Sequence, residues 1–82
     1  MKTSFDSLSR IVHIQVQVVS SGVKILTKEF DVDTVIEVTD SNDLVGIEMM
    51  NPNQRTLNRI AKKFKRPELV RINLQALQES IN

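Results

Sequence analysis

The chain holds a single imidazole, His13. A Ser-His-Asp arrangement, or a metal site that uses histidine, would have to be built on it. It stands in Ile11-Val12-His13-Ile14-Gln15, where apolar and polar residues alternate. That spacing puts it on the polar face of a strand, with no nucleophile raised on a sharp turn nearby. It reads as a surface strand residue. Glu37 and Glu48 are the next candidates. They fall on the face opposite Ile36 and Ile47, as diagonal neighbours about 7–8 Å apart between Cα atoms. Paired carboxylates can do acid/base work or hold a hard cation. Alternate acids on a strand also make a solvated face that prevents edge-to-edge association. Gly46, opposite Glu37, would leave open space above the backbone there. Asp40-Ser41-Asn42-Asp43 begins like a calcium loop, but Leu44 stands where a ligand is needed and the later Gly and Glu are missing. The only glycines are Gly22 and Gly46, so there is no glycine-rich phosphate loop. With no cysteine, disulfides, cysteine-based zinc sites and thiol catalysis are excluded. No catalytic residue, metal site or cofactor is expected.

Charge carries more information. Residues 1–50 hold four basic groups against eight acidic ones, a net −4. Residues 51–82 hold seven basic groups against two acidic ones, a net +5. The overall +1 hides this opposition. Beyond Asn51-Pro52, Leu57, Ile60, Ala61 and Phe64 recur at the i, i+3, i+4, i+7 spacing of an amphipathic helix. Arg55, Arg59, Lys62, Lys63 and Arg66 crowd the other side of that helix. Such a face can follow a phosphate backbone or dock an acidic partner. It can equally be a solvated face that balances the acidic half. The aromatics Phe5, Phe30 and Phe64 read as core rather than as base-stacking platforms.

These groups must be positioned by a small fold. Eighty-two residues make one domain, 1–82, with residues 1–50 as sheet and 51–82 as a basic amphipathic helix plus a short C-terminal helix. A chain this short buries roughly 60% of its unfolded surface, so the core is thin. Hydrophobic residues at 40% and charged residues at 26% suit a globular domain. No apolar run nears the roughly 20 residues of a membrane span, and no signal-peptide pattern opens the chain, so a cytoplasmic protein is expected.

Period two governs the first half. Val12, Ile14, Val16 and Val18 predict a strand over Ile11 to Val19. Ser20-Ser21-Gly22 signals a turn, and Val23 to Phe30 reads as a second strand antiparallel to the first, with lysines that suit a sheet edge. Thr34 to Thr39 and Leu44 to Met50 form a hairpin closed by residues 40–43, with Asn42 in a left-handed conformation. In that register Val38 faces Val45, Ile36 faces Ile47, and Val45, Ile47 and Met49 share a face. Asn51 is the expected cap of the helix and Pro52 its first residue. Pro67 ends the helix. Leu69 to Ile72 is expected to be extended, and Asn73 to cap a last short helix; Val70, Leu74, Leu77 and Ile81 also fit a helical stripe. The architecture is α+β: an antiparallel β-meander of about four strands, packed on one face by one or two C-terminal helices.

Residues 5–50 resemble the YuzE-like family of small bacterial proteins of unknown function. The likeness rests on Phe5-Asp6 leading into Ile11-Val12-His13-Ile14, on Glu29, and above all on Leu44-Val45-Gly46-Ile47-Glu48-Met49 following an acidic turn. Ser9-Arg10 stand where the family usually has Asp, and Asn42 where it usually has Gly. The basic C-terminal region lies outside the likeness. The resemblance implies a small β-meander with a helix, cytoplasmic, without an established activity. Some members sit beside small toxin-like genes, which implies an antitoxin-type partner protein.

Two functional expectations follow. The first is a non-enzymatic interaction module that binds a partner protein, toxin-like if the resemblance holds, through the acidic sheet or the basic helix. The alternative is a nucleic-acid-binding regulator that uses Arg55, Arg59, Lys62, Lys63 and Arg66. No membrane partner is expected. A thin core and an uncovered sheet face also predict a homodimer.

Overall fold

Alternating β-branched residues in the first half and a 3.6-residue stripe in the second do build a sheet and a helix that covers it. The structure is a computed structural model and describes residues 1–79. Within them lie strands β1 (Lys2–Asp6), β2 (Ile11–Gln15), β3 (Ile25–Asp31), β4 (Thr34–Thr39) and β5 (Leu44–Met50), then helix α1 (Gln54–Lys63), a 3₁₀ turn (Pro67–Arg71) and helix α2 (Leu74–Glu79). The strands form one antiparallel sheet in the order β1-β2-β5-β4-β3. The expected α+β architecture is present. The sheet has one strand more than expected, and its order departs from a simple meander where β2 passes to β3.

That step decides the topology. The 23–30 segment was expected as a strand antiparallel to the first, and β3 does run antiparallel to β2, but β5 and β4 stand between them. Asp31 and Thr34 are ladder partners, so β3 and β4 are joined by a two-residue turn in which Asp31 Oδ1 accepts the Asp33 N–H at 3.0 Å. A hairpin that short closes at little entropic cost, so β3 takes β4 as its neighbour. Its other edge is left free. The segment from Val16 to Lys24 is therefore a crossover rather than a hairpin loop. β2 also ends earlier than the expected Val19. Val16 and Gln17 still donate to the Val45 carbonyl, at 2.7 and 3.3 Å, but Val18 is 81% exposed. Gly22, at φ 92°, makes the predicted turn.

β1 carries one large apolar residue, Phe5, which is half-buried against the core. Its hairpin with β2 is closed by Asp6, whose carboxylate accepts the Leu8 N–H at 3.0 Å, and by Arg10 in a left-handed conformation at φ 60°. The Leu8 N–H, with further bonds from Ser9, holds the Asp6 carboxyl below its usual range.

The β4–β5 hairpin keeps the expected pairs Ile36–Ile47 and Glu37–Gly46. A bulge then shifts the register, so Val38 faces Leu44 and not Val45. Leu44 is 1% exposed in the core, and Val45, the extra residue, is half-buried. The turn accounts for the shift. Thr39 donates its N–H to the Asp43 carbonyl at 2.9 Å, Asp43 donates its own to Thr39 Oγ1 at 3.1 Å, and Asn42 adopts the anticipated left-handed φ of 66°.

Val12, Ile14, Ile36, Val38, Ile47 and Met49 project from one face of the sheet, all at 4% exposure or less. Leu57 and Ile60 of α1 meet them at 0%, with Ala61 at 3% and Phe64 half-buried. The helical stripe is as predicted, but its start is not. Asn51 takes a left-handed φ of 54°, turning the chain off β5, and the cap is Asn53, whose Oδ1 accepts the Thr56 N–H at 3.2 Å. Pro52 precedes the helix rather than opening it.

Beyond α1, Arg66 donates its N–H to the Ala61 carbonyl at 2.8 Å and Lys65 donates to Lys62 at 3.4 Å, a Schellman closure with Lys65 at φ 55°. A side chain in that conformation carries a steric penalty that glycine lacks. Lys65→Gly is therefore expected to raise stability by about 0.5–1 kcal/mol, read as a higher urea midpoint at unchanged slope.

The segment expected to be extended, Leu69 to Ile72, is instead largely a 3₁₀ turn that drives Leu69 to 0% exposure. Val70 points outward at 49%, which breaks the Val70–Leu74–Leu77 stripe, and Ile81 lies outside the described residues. Asn73 caps α2 as expected, its Oδ1 accepting the Ala76 N–H at 3.0 Å. Gln54 Oε1 accepts the Leu74 N–H at 3.1 Å, which ties α2 to the start of α1.

Candidate nucleic-acid interface

The apolar stripe of α1 faces the sheet, so its cations must face away from it or along its flank. Arg55, Arg59, Lys62 and Lys63 are all exposed, and Arg66 is half-buried. The flank toward β3 is where they gather. Lys28 pairs with the buried Ile36 across the β3–β4 ladder, which places Lys28 on the helix-facing side of the edge strand. Phe30, two residues on, lies on the same side and packs against the core. Between strand and helix runs an open groove of about 700 Å³, lined by Lys28, Glu29, Phe30, Arg59, Lys62, Lys63 and Phe64, with Ile36 and Asn42 completing it.

The phenylalanines organise the cations. Arg59 Cζ lies 5.3 Å from the centre of the Phe30 ring and Lys63 Nζ lies 5.7 Å from it. Lys63 Nζ is also 5.8 Å from the centre of Phe64. Ring faces attract such charges, and the alkyl stems can cover the aromatic surface while the heads stay in water. The cations are thus held at the groove rim before any partner arrives, which lowers the ordering cost of binding.

They are also uncompensated. Among the described residues, the ion pairs within 4 Å are His13 Nε2–Glu48 Oε1 and Arg66 Nη1–Glu68 Oε1, both at 3.9 Å. Among those residues, none of Lys28, Arg59, Lys62 and Lys63 lies within 4 Å of a carboxylate oxygen. Glu37 and Glu48 stand on the far side of the sheet; of the acidic half, Glu29 reaches the groove, without an ion pair among the described residues.

Of the five basic residues singled out from sequence, the structure brings Arg59, Lys62 and Lys63 together. Arg55, in the first turn of α1, does not line the groove, and Arg66 is engaged with Glu68. Lys28 is the groove residue that the sequence reading did not single out. Its signal was present: Leu26, Lys28 and Phe30 share one period-two face, and Leu26 and Phe30 are apolar.

The other candidates resolve differently. His13 is exposed and faces Glu48 directly across the β2–β5 ladder. Glu37 faces Gly46, as the register required, but the expected open space is filled. A Cβ on Gly46 would lie 2.6 Å from Glu37 Oε1, so the carboxylate itself lies over that glycine. Among the described residues no group of three acidic or histidine side chains is placed to hold a metal ion. No described helix is long and apolar enough to cross a membrane.

Fold and groove together define a small sheet-and-helix domain with a cationic, aromatic-floored cleft at one sheet edge. No protein-family model, curated protein or solved structure matches the chain.

Proposed function

We propose that the protein is a non-enzymatic binding module that holds a nucleic-acid backbone in the groove between α1 and β3. The observation that carries this reading is the convergence of Lys28, Arg59, Lys62 and Lys63 on one cleft, none of them in an ion pair among the described residues. Phosphates release condensed counterions when such groups displace them, which supplies affinity without regard to sequence. Contacts of this kind set position on the strand; base edges would have to be read by other groups. The module therefore acts as a sequence-tolerant clamp. The YuzE-like resemblance of residues 5–50 falls on the sheet, outside the helix that carries most of the basic wall, and bears on the fold alone.

The test is fluorescence anisotropy with labelled 20-nucleotide probes, single- and double-stranded, between 50 and 200 mM KCl. Four phosphate contacts give a log–log salt slope of about −3.6 on duplex and about −2.8 on single strands. A salt-insensitive signal, or no binding at 50 mM, would remove the nucleic-acid reading.

A further inference from the structure

The opposite face of the sheet carries a second surface, which shares only Glu29 with the groove. Among the described residues no helix covers the outer sides of β2, β5 and β4 around Ile11, Val35 and Met50. Ile11 is the ladder partner of Met50, and Met50 donates its N–H to the Asp33 carbonyl at 2.8 Å, which brings it beside the β3–β4 turn. Val32 at the tip of that turn is 85% exposed and Met50 is 48% exposed. With the half-buried Val35 and Ile11 they floor a hollow of about 340 Å³. Its rim is acidic: Glu29, Asp33 and Glu48 surround the apolar floor. Asp31, also at the hollow, is turned inward, since its two oxygens accept the Asp33 N–H and the Thr56 hydroxyl.

The geometry points to this acidic-rimmed hollow as the docking site for a polypeptide segment of another protein that carries aliphatic side chains flanked by Lys or Arg. Charge and shape together select that occupant. The apolar floor leaves room for two or three aliphatic groups, and their burial supplies the affinity. The carboxylates at the rim favour cations beside those groups and repel an acidic segment. A second copy of this chain meets them only in part. Two such faces placed together would oppose their acidic rims. The basic helix of a second copy would present cations while its Leu57 and Ile60 stay in the core, and the exposed Val70 beside Arg71 makes a second copy the competing occupant that sedimentation tests.

The hollow is tested on the isolated protein by two-dimensional amide NMR, with three synthetic twelve-residue peptides: alternating Leu and Lys, alternating Leu and Glu, and alternating Ser and Lys. The Leu/Lys peptide is expected to give saturable shifts at Ile11, Val35, Glu48 and Met50. The Ser/Lys peptide should bind at least tenfold more weakly, and the Leu/Glu peptide should leave the signals of Ile11, Val35, Glu48 and Met50 unmoved. Glu48→Lys combined with Met50→Ser, both at exposed positions, should weaken the Leu/Lys response at least tenfold. Arg59→Ala combined with Lys63→Ala should leave it intact, so that this site and the groove stand or fall separately. Equal binding of the Ser/Lys peptide, shifts centred on Phe30 and Lys63, or no saturable shifts would overturn the assignment. So would a dimer in sedimentation whose interface maps to Val35 and Met50, since a second copy would then occupy the face.

Discussion

Changing Arg59, Lys62 and Lys63 together to alanine is expected to flatten the salt dependence of nucleic-acid binding by roughly 2.7 in log–log slope on duplex, at about 0.9 per phosphate contact. Referred to 1 M salt, that change alone is roughly a 500-fold loss of affinity at 0.1 M. Adding Lys28→Ala should remove most of the remaining slope. The loss should be uniform across probe sequences, because the groups involved contact phosphate and not base edges. Arg55→Ala with Arg66→Ala is the matched control. Both residues lie outside the groove, so their removal should alter the slope by less than half as much. The groove side chains are exposed on the helix, so the variants should remain folded, with urea midpoints lowered only by the lost ring contacts of Arg59 and Lys63, about 0.5–1 kcal/mol each. If the control pair weakens binding as strongly as the groove triple, the cleft is not the binding site and the helix acts only as a diffuse positive charge.

The second large effect is on stability. Leu57 is fully buried where α1 meets the sheet, so Leu57→Ala leaves a cavity between two layers that have little material to fill it. Such truncations cost about 2–5 kcal/mol. At roughly 0.05–0.15 kcal/mol per residue, a domain of this size has about 4–12 kcal/mol in total. Leu57→Ala is therefore expected to remove a large share of the total stability, seen as a lowered urea midpoint by circular dichroism. Val70→Ala, at a position 49% exposed, should move the midpoint by no more than about 0.5 kcal/mol equivalent. Equal shifts for the two would mean that the helix does not seal the core.

Sequence periodicity made the centre of the fold legible. Val12, Ile14, Ile36 and Ile47 fall at period-two positions beside His13, Gln15, Glu37 and Glu48, and each is turned inward as that period requires. Leu57, Ile60 and Ala61 did the same at helical spacing. What escaped were features with no periodic signal. β1 carries one large apolar residue among polar ones, because an edge strand has little to bury. The bulge at Val45 breaks the alternation it would have to be read from. The cap at Asn53 competed with Asn51, since both are asparagines beside Pro52, and only the left-handed turn off β5 distinguishes them. The pairing order was hidden because local pattern says which residues face inward but not which strand lies alongside. Of the groove, the helical cations were legible and Lys28 was not singled out, because a lysine at a sheet edge reads as protection against aggregation until the helix is seen to lie beside it.

The placement of β5 between β2 and β4 has a consequence for how the chain assembles on the ribosome. When residues 1–43 have emerged, the β1–β2 ribbon and the β3–β4 ribbon are complete, yet nothing joins them, because the strand that bridges both is still to come. Each ribbon alone is too small to persist in water. Long-range closure therefore waits for Leu44–Met50, and the last-made strand of the sheet, not the first, is the keystone on which cooperative folding turns.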